Sequence, residues 1–151
     1  MKVPKTLSTG HPAVTLTEFK GVLYLHLSSD PIQGAMRLSR PDEIVIDYVQ
    51  CMMIWMLFTD KPANIVQLGL GSGALARFCL KHFPETDLTV VEINPNVIEA
   101  CRSTFHLPAD SKTFRVIEGC AHEFVTRKTP PGTIDILQVD LYDAKAAEPL
   151  F

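Results

Sequence analysis

Three glycines at alternate positions, Gly69, Gly71 and Gly73, followed 23 residues after the first by an acid, Glu92, are the residues here whose types and spacing suit a nucleoside. Glycine lets a backbone turn sharply and lets a ligand approach main-chain N–H groups with no Cβ in the way, and a helix that follows points its positive end at the site. An acid ending the next strand can accept hydrogen bonds from a ribose diol. Gly69-x-Gly71-x-x-Ala74 fits a dinucleotide fingerprint, whereas Gly69-x-Gly71-x-Gly73 fits the loop of adenosylmethionine-type enzymes, and spacing leaves both open. The plainer alternative is that small residues only permit close packing of strand on helix.

Metal chemistry has no comparable signal. Cys51, Cys79, Cys101 and Cys120 lie 28, 22 and 19 positions apart, with no C-x-x-C pair and no histidine at ligand spacing. They read as reduced thiols. With 14 basic against 17 acidic residues the net charge is −3, which offers no electrostatic footprint for nucleic acid. The apolar run from Cys51 to Phe58 is far below the roughly 20 residues that cross a bilayer, and the N-terminus lacks the apolar core of a signal peptide. A cytoplasmic protein acting on a small molecule is the expectation.

The elements that must position these residues follow from periodicity. Residues 65–70, Ile-Val-Gln-Leu-Gly-Leu, read as a strand buried on both faces, and Ala74 to Leu80 carries apolar residues at helical spacing, ending near His82 and Pro84. Leu88 to Ile93 is a second strand, which makes the unit a βαβ crossover. Helical spacing recurs over Asn96–Phe105, a third strand over Phe114–Gly119, a short helix or turn over Ala121–Val125, and a fourth strand over Ile134–Leu141. Upstream, alternation from Val14, a Lys20-Gly21 turn and Val22–Leu27 predict a β-hairpin that ends at Ser28–Pro31. Ser39 followed three residues later by Asp42 resembles a helix start, so a helix is expected over about Pro41–Phe58, with Ile44, Tyr48, Met52 and Trp55 on one buried face. The expected fold is α/β, with a tail and hairpin over residues 1–40 and a nucleoside-binding, Rossmann-like domain over 41–151.

Taken together, Ile32-Gln33 with Met36, Tyr48, Leu68 to Gly73, Val91 to Ile98 and Ile134 to Asp143 make the sequence resemble the spermidine synthase family, aminopropyltransferases on the class I methyltransferase fold. The resemblance implies a pocket for decarboxylated S-adenosylmethionine or S-adenosylmethionine as co-substrate, with no metal. Glu92 would hold the ribose, Gly69, Gly71 and Gly73 would line the nucleoside and sulfonium end, and Gln33 would add a contact from the N-terminal part. Cys120 stands where the family has an acid facing the adenine amine. Asp140 corresponds to the acid that takes a proton from the attacking amine, Asp143 to the second acid of that loop, and Tyr48 to a residue beside the amine substrate. Val49 and Ile54 occupy positions where the family has histidines. The function classes left open are an aminopropyl or methyl transferase, an oxidoreductase using a nicotinamide dinucleotide, and a non-catalytic nucleoside-binding or assembly module.

The family fold ordinarily continues past a fourth strand, so the expected sheet is truncated, with four strands in the order 3-2-1-4. That leaves Ile134–Leu141 as an apolar edge. Such an edge invites pairing, and a homo-oligomer or a fragment of a longer protein is the expectation.

Overall fold

The computed structural model describes residues 10–28, 31–127 and 132–141. Residues 1–9 of the expected tail, residues 29–30 of the expected hairpin end, residues 128–131 and residues 142–151, Asp143 among them, lie outside them.

Three strands, β1 (Val14–Phe19), β2 (Val22–Leu27) and β3 (Ile32–Arg37), pair antiparallel in that order. The β1–β2 hairpin turns at Lys20 and Gly21, with φ of 50° and 75°. Two positive φ values in a two-residue loop match the twist of the flanking strands, and glycine supplies the second without strain. The third strand, left unassigned from sequence, extends the hairpin into a sheet. At Gly34 on β3 a Cβ would lie 2.5 Å from the Ser72 backbone nitrogen, so β3 reaches the glycine loop only because that residue has no side chain.

The long helix expected over 41–58 is absent. A five-residue helix, α1 (Asp47–Cys51), and a single 3-10 turn at Ile54–Leu57 take its place. The acid that resembled a capping signal is engaged elsewhere: Asp42 pairs with Lys81 at 2.9 Å, and its neighbour Glu43 pairs with Arg37 at 2.9 Å. Gln50 Nε2 donates to the Ile44 carbonyl at 2.7 Å, holding the segment before α1 in a turn, and Ile46 is extended with φ −90° and ψ 127°. A segment with no side-chain cap does not form a long helix unaided. The buried residues are Ile44, Val49 and Met53, whereas Tyr48 faces outward at 45% exposure, so the expected stripe is corrected.

The second sheet is parallel. Its strands β4 (Asn64–Leu68), β5 (Asp87–Glu92), β6 (Phe114–Glu118) and β7 (Ile136–Val139) run in the order β6-β5-β4-β7, the expected 3-2-1-4. Between them lie α2 (Ala74–His82), α3 (Pro95–Ser103) and α4 (Ala121–Arg127). Helix α3 begins where Asn94 Oδ1 accepts from the Asn96 N–H at 3.0 Å with Pro95 at the first helical position, a start that satisfies an otherwise orphan donor. The core gathers Ile65, Val90, Cys101, Phe105 and Phe114, all essentially solvent-free.

Strand β7 is shorter than expected and not apolar throughout. Gln138 is buried beside Gln67 of β4, which donates to it through Nε2 at 2.9 Å, while Gln138 Nε2 donates to the Met52 carbonyl at 3.1 Å. A buried amide pair is tolerated because its groups are bonded. It also fixes β7, and hence Asp140, against the segment that follows α1.

Candidate functional site

Strand β4 pairs with β5 on one side and β7 on the other. The crossovers diverge from it, and open α/β sheets hold ligands at such a switch point, outside the carboxyl ends of the strands. A cavity of about 410 Å³ opens there. It lies within the usual range of small-molecule sites.

The cavity brings together Gln33 from β3, Tyr48 from α1, Gly69 and Gly71 from the loop after β4, Glu92 at the end of β5, Cys120 before α4, and Asp140 after β7. Gly73 does not line it. It caps α2 in a left-handed conformation, φ 75°, and the side where a Cβ would stand faces Arg77 and Leu107 behind the loop. Asp143 lies outside the described residues.

Gly69 has φ 92°, and a Cβ there would overlap the Asp140 carbonyl oxygen. Asp140 N–H donates to the Leu68 carbonyl at 2.9 Å, so the end of β7 lies flush against the start of the loop. Glu92 is gripped at both oxygens: the Leu70 N–H donates to Oε2 at 2.9 Å and the Asn94 N–H to Oε1 at 2.8 Å. Burial pushes this carboxyl up, while those backbone donors and the His11 side pull it back. A carboxylate has about four acceptor sites, so acceptor capacity remains beyond the backbone donors for a hydroxyl in the cavity. A ribose hydroxyl fits that requirement.

At the other side of Gly69, Tyr48 Oη–H donates to Asp140 Oδ2 at 3.3 Å. Burial raises the Asp140 carboxyl above its usual range, and the tyrosine bond opposes it. A raised carboxyl, positioned by a hydroxyl, is suited to exchange a proton with an amine. A narrow side chamber of about 20 Å³, bounded by Tyr48, Asp140, Gln33, Val49 and Leu75, adjoins the main cavity there. Among the described residues, the lining of the main cavity carries Glu92, Asp140 and His122 but no lysine or arginine.

Sequence reasoning missed Arg77, Ser72 and His122. His122, the second residue of α4, lines the cavity. Ser72 is buried and its hydroxyl donates to the Ala35 carbonyl at 3.1 Å, joining the loop to β3. Arg77 was readable only as one basic residue in an otherwise apolar helical stretch. Among the described residues no group of three or more histidines, cysteines or acids is placed to hold a metal, and no helix is long and apolar enough to cross a membrane.

The family model for the O-methyltransferase domain matches residues 49–148. A curated polyamine aminopropyltransferase of Neisseria meningitidis serogroup A is 39% identical over 150 residues, covering 95% of this chain and 56% of its own length. Thus the chain spans about half the length of the curated relatives it matches. The structure of a probable spermidine synthase from Corynebacterium glutamicum superposes with a TM-score of 0.73 at 16% identity, over 94% of this chain and 53% of that one. A spermidine synthase in complex with the transition state analogue AdoDATO superposes with a TM-score of 0.57 at 18% identity, over 87% of this chain and 47% of that one. At such identities the two structures establish the fold alone.

Proposed function

The chain belongs to the spermidine synthase-like family on a methyltransferase fold, and from that premise we propose that its cavity binds an adenosyl sulfonium donor and directs the donor's aminopropyl group to an amine. The observation that carries the reading is two acids, Glu92 and Asp140, lining one cavity on either side of Gly69, and we assign Glu92 to the nucleoside and Asp140 to the acceptor.

Glu92 receives the ribose hydroxyls while the glycine loop lies along the nucleoside, and Gln33 closes the site from β3. The donor is decarboxylated S-adenosylmethionine, the adenosyl sulfonium that carries an aminopropyl group to transfer. An amine acceptor is cationic at neutral pH and must lose a proton before it attacks. Asp140 takes that proton. The nitrogen lone pair then attacks the methylene carbon next to the sulfonium, the carbon–sulfur electron pair returns to sulfur, and the neutral thioether methylthioadenosine departs. Tyr48 holds Asp140 in place for this exchange.

Titration calorimetry and thermal shift with methylthioadenosine, decarboxylated S-adenosylmethionine and S-adenosylmethionine test the proposal. A ligand at 100 times its dissociation constant stabilises by about 2.7 kcal/mol. Glu92→Ala removes charged hydrogen bonds of about 1.5–3 kcal/mol and is expected to weaken nucleoside binding at least about tenfold with the fold retained. If none of the three nucleosides shifts the wild-type midpoint, the reading is wrong.

A second reading is methyl transfer from S-adenosylmethionine, favoured by the O-methyltransferase domain match over residues 49–148. Tighter binding of the carboxylated donor than of the decarboxylated one would favour it. Binding of nucleosides with no turnover on any amine would instead favour a non-catalytic module.

The assembly reading concerns β7. Among the described residues nothing pairs the edge of β7 that faces away from β4; Leu137 and Val139, exposed at 46% and 38%, also line the cavity. An exposed apolar edge recruits another strand, and we take the occupant to be a second copy of this chain. Light scattering at micromolar concentration should therefore give twice the monomer mass, with the amides of residues 136–139 slow to exchange. A monomer with those amides exchanging freely would exclude it.

A further inference from the structure

Arg77 is 3% exposed, yet among the described residues no carboxylate bonds it. Its guanidinium donates instead to carbonyl oxygens of three separate segments. Nη1 reaches Ser72 in the glycine loop and Phe105 after α3, the latter at 3.0 Å, and Nε reaches Pro41 on the approach to α1 at 2.8 Å. Nη2 is buried with no partner among the described residues. Burial draws the guanidinium down to about 10, opposed by the nearby Cys101 and Asp42, so it remains a cation at neutral pH.

A buried cation without a counter-ion is costly, and only well-aimed dipoles offset the cost. For stability alone an apolar residue of similar volume would serve helix α2 at least as well. What the arginine adds is a planar fork that a point charge cannot reproduce. Nearby groups are arranged around it. Gly73 lacks the Cβ that would stand 3.2 Å from Nη1, and Cys101 Sγ–H donates to the Gly71 carbonyl at 3.2 Å. The loop is thus held from behind by Arg77 and Cys101 while Glu92 holds its front through the Leu70 N–H.

We propose that Arg77 is a positioning residue whose fork sets the glycine loop against β4 and ties it to the 41–48 segment, so that the nucleoside side and the Tyr48–Asp140 side of the cavity keep one geometry. The proposal rests on the nucleoside reading for its ligand test but not for its exchange test.

Arg77→Lys keeps the charge and loses the fork; Arg77→Met loses both and keeps the volume. In each variant the Leu70 and Gly73 amides are expected to exchange at least about tenfold faster than in wild type while Val90 and Val91 of β5 keep their protection, as loss of a charge-assisted bond to the loop would give. Methylthioadenosine affinity should fall by a similar factor, and in Arg77→Ala millimolar guanidinium chloride, against equal sodium chloride, should restore part of it. A test without any variant uses wild type: bound methylthioadenosine should slow exchange at Leu107, behind the loop beside Arg77.

Wild-type loop exchange in a folded variant would overturn the proposal. So would faster exchange spread evenly over β4, β5 and the loop, which marks lost global stability only. If the variants do not fold, unchanged Leu107 exchange on ligand binding overturns it. If wild type binds no methylthioadenosine, the functional reading fails by itself, and loop exchange in the variants decides Arg77.

Discussion

Gly69→Ala is expected to destabilise the fold by about 3 kcal/mol or more, and to do so by separating β7 from β4. Two independent causes add at this position. The backbone lies at φ 92°, where an L side chain is strained by about 1–2 kcal/mol. The added Cβ would also overlap the Asp140 carbonyl oxygen, and backbone cannot swing aside as a flexible side chain can. The bond from the Asp140 N–H to the Leu68 carbonyl would be lost with the displacement. Chemical denaturation measures the first effect, and amide exchange at Asp140 the second. Gly73→Ala, also at positive φ but with its nearest contacts on side chains at 3.2 and 3.4 Å rather than on overlapping backbone, should be milder. Equal stability of Gly69→Ala and wild type would mean the two strands are not held in register at this point.

Asp140→Asn carries the largest expected effect on rate. It preserves shape and removes the proton acceptor, so amine alkylation should fall by about 10²–10⁴ while methylthioadenosine affinity is unchanged. Stability should move in the opposite direction to rate. Because burial raises this carboxyl in the folded state, the ionised form is disfavoured on folding. The acid's contribution to stability is therefore full below its ordinary pKa and is lost as pH rises through the raised folded value. Asparagine has no charge to bury, so the variant should equal wild type in acid and exceed it at neutral pH. A rate collapse together with a lower unfolding midpoint at neutral pH would mean that the substitution damaged the fold and that Asp140 had not been tested as a base.

The βαβ unit from Asn64 to Asn94 was legible because every part of it is local. A doubly buried parallel strand reads as an apolar run, and glycine marks backbone that other residues cannot adopt. The strand order came with the family resemblance, and right-handed crossovers on either side of the first strand agree with it. Lys20-Gly21 likewise carried its own turn.

What was misread depended on partners distant in sequence. The helix expected over 41–58 failed because Asp42, which looked like a capping acid, meets Lys81, while Glu43 beside it meets Arg37. Strand β3 escaped notice because its glycine is explained only by Ser72, 38 residues away. Gln138 in an apparently apolar strand makes sense only beside Gln67, and Arg77 only with carbonyls 28 and 36 positions away.

By itself the sequence carried the family in the motifs that resemble it, predicted alternating strands and helices, and named candidate residues for a nucleoside, since periodicity and backbone-special residues act within a few positions. Tertiary structure alone decided that Glu92 and Asp140 flank one glycine, that Gly73 turns away from the cavity, and that a buried arginine stands behind the loop. The reason is physical: a local pattern specifies which face of an element is apolar, but the cost of a buried charge or amide is set by donors and acceptors that only packing brings within 3 Å.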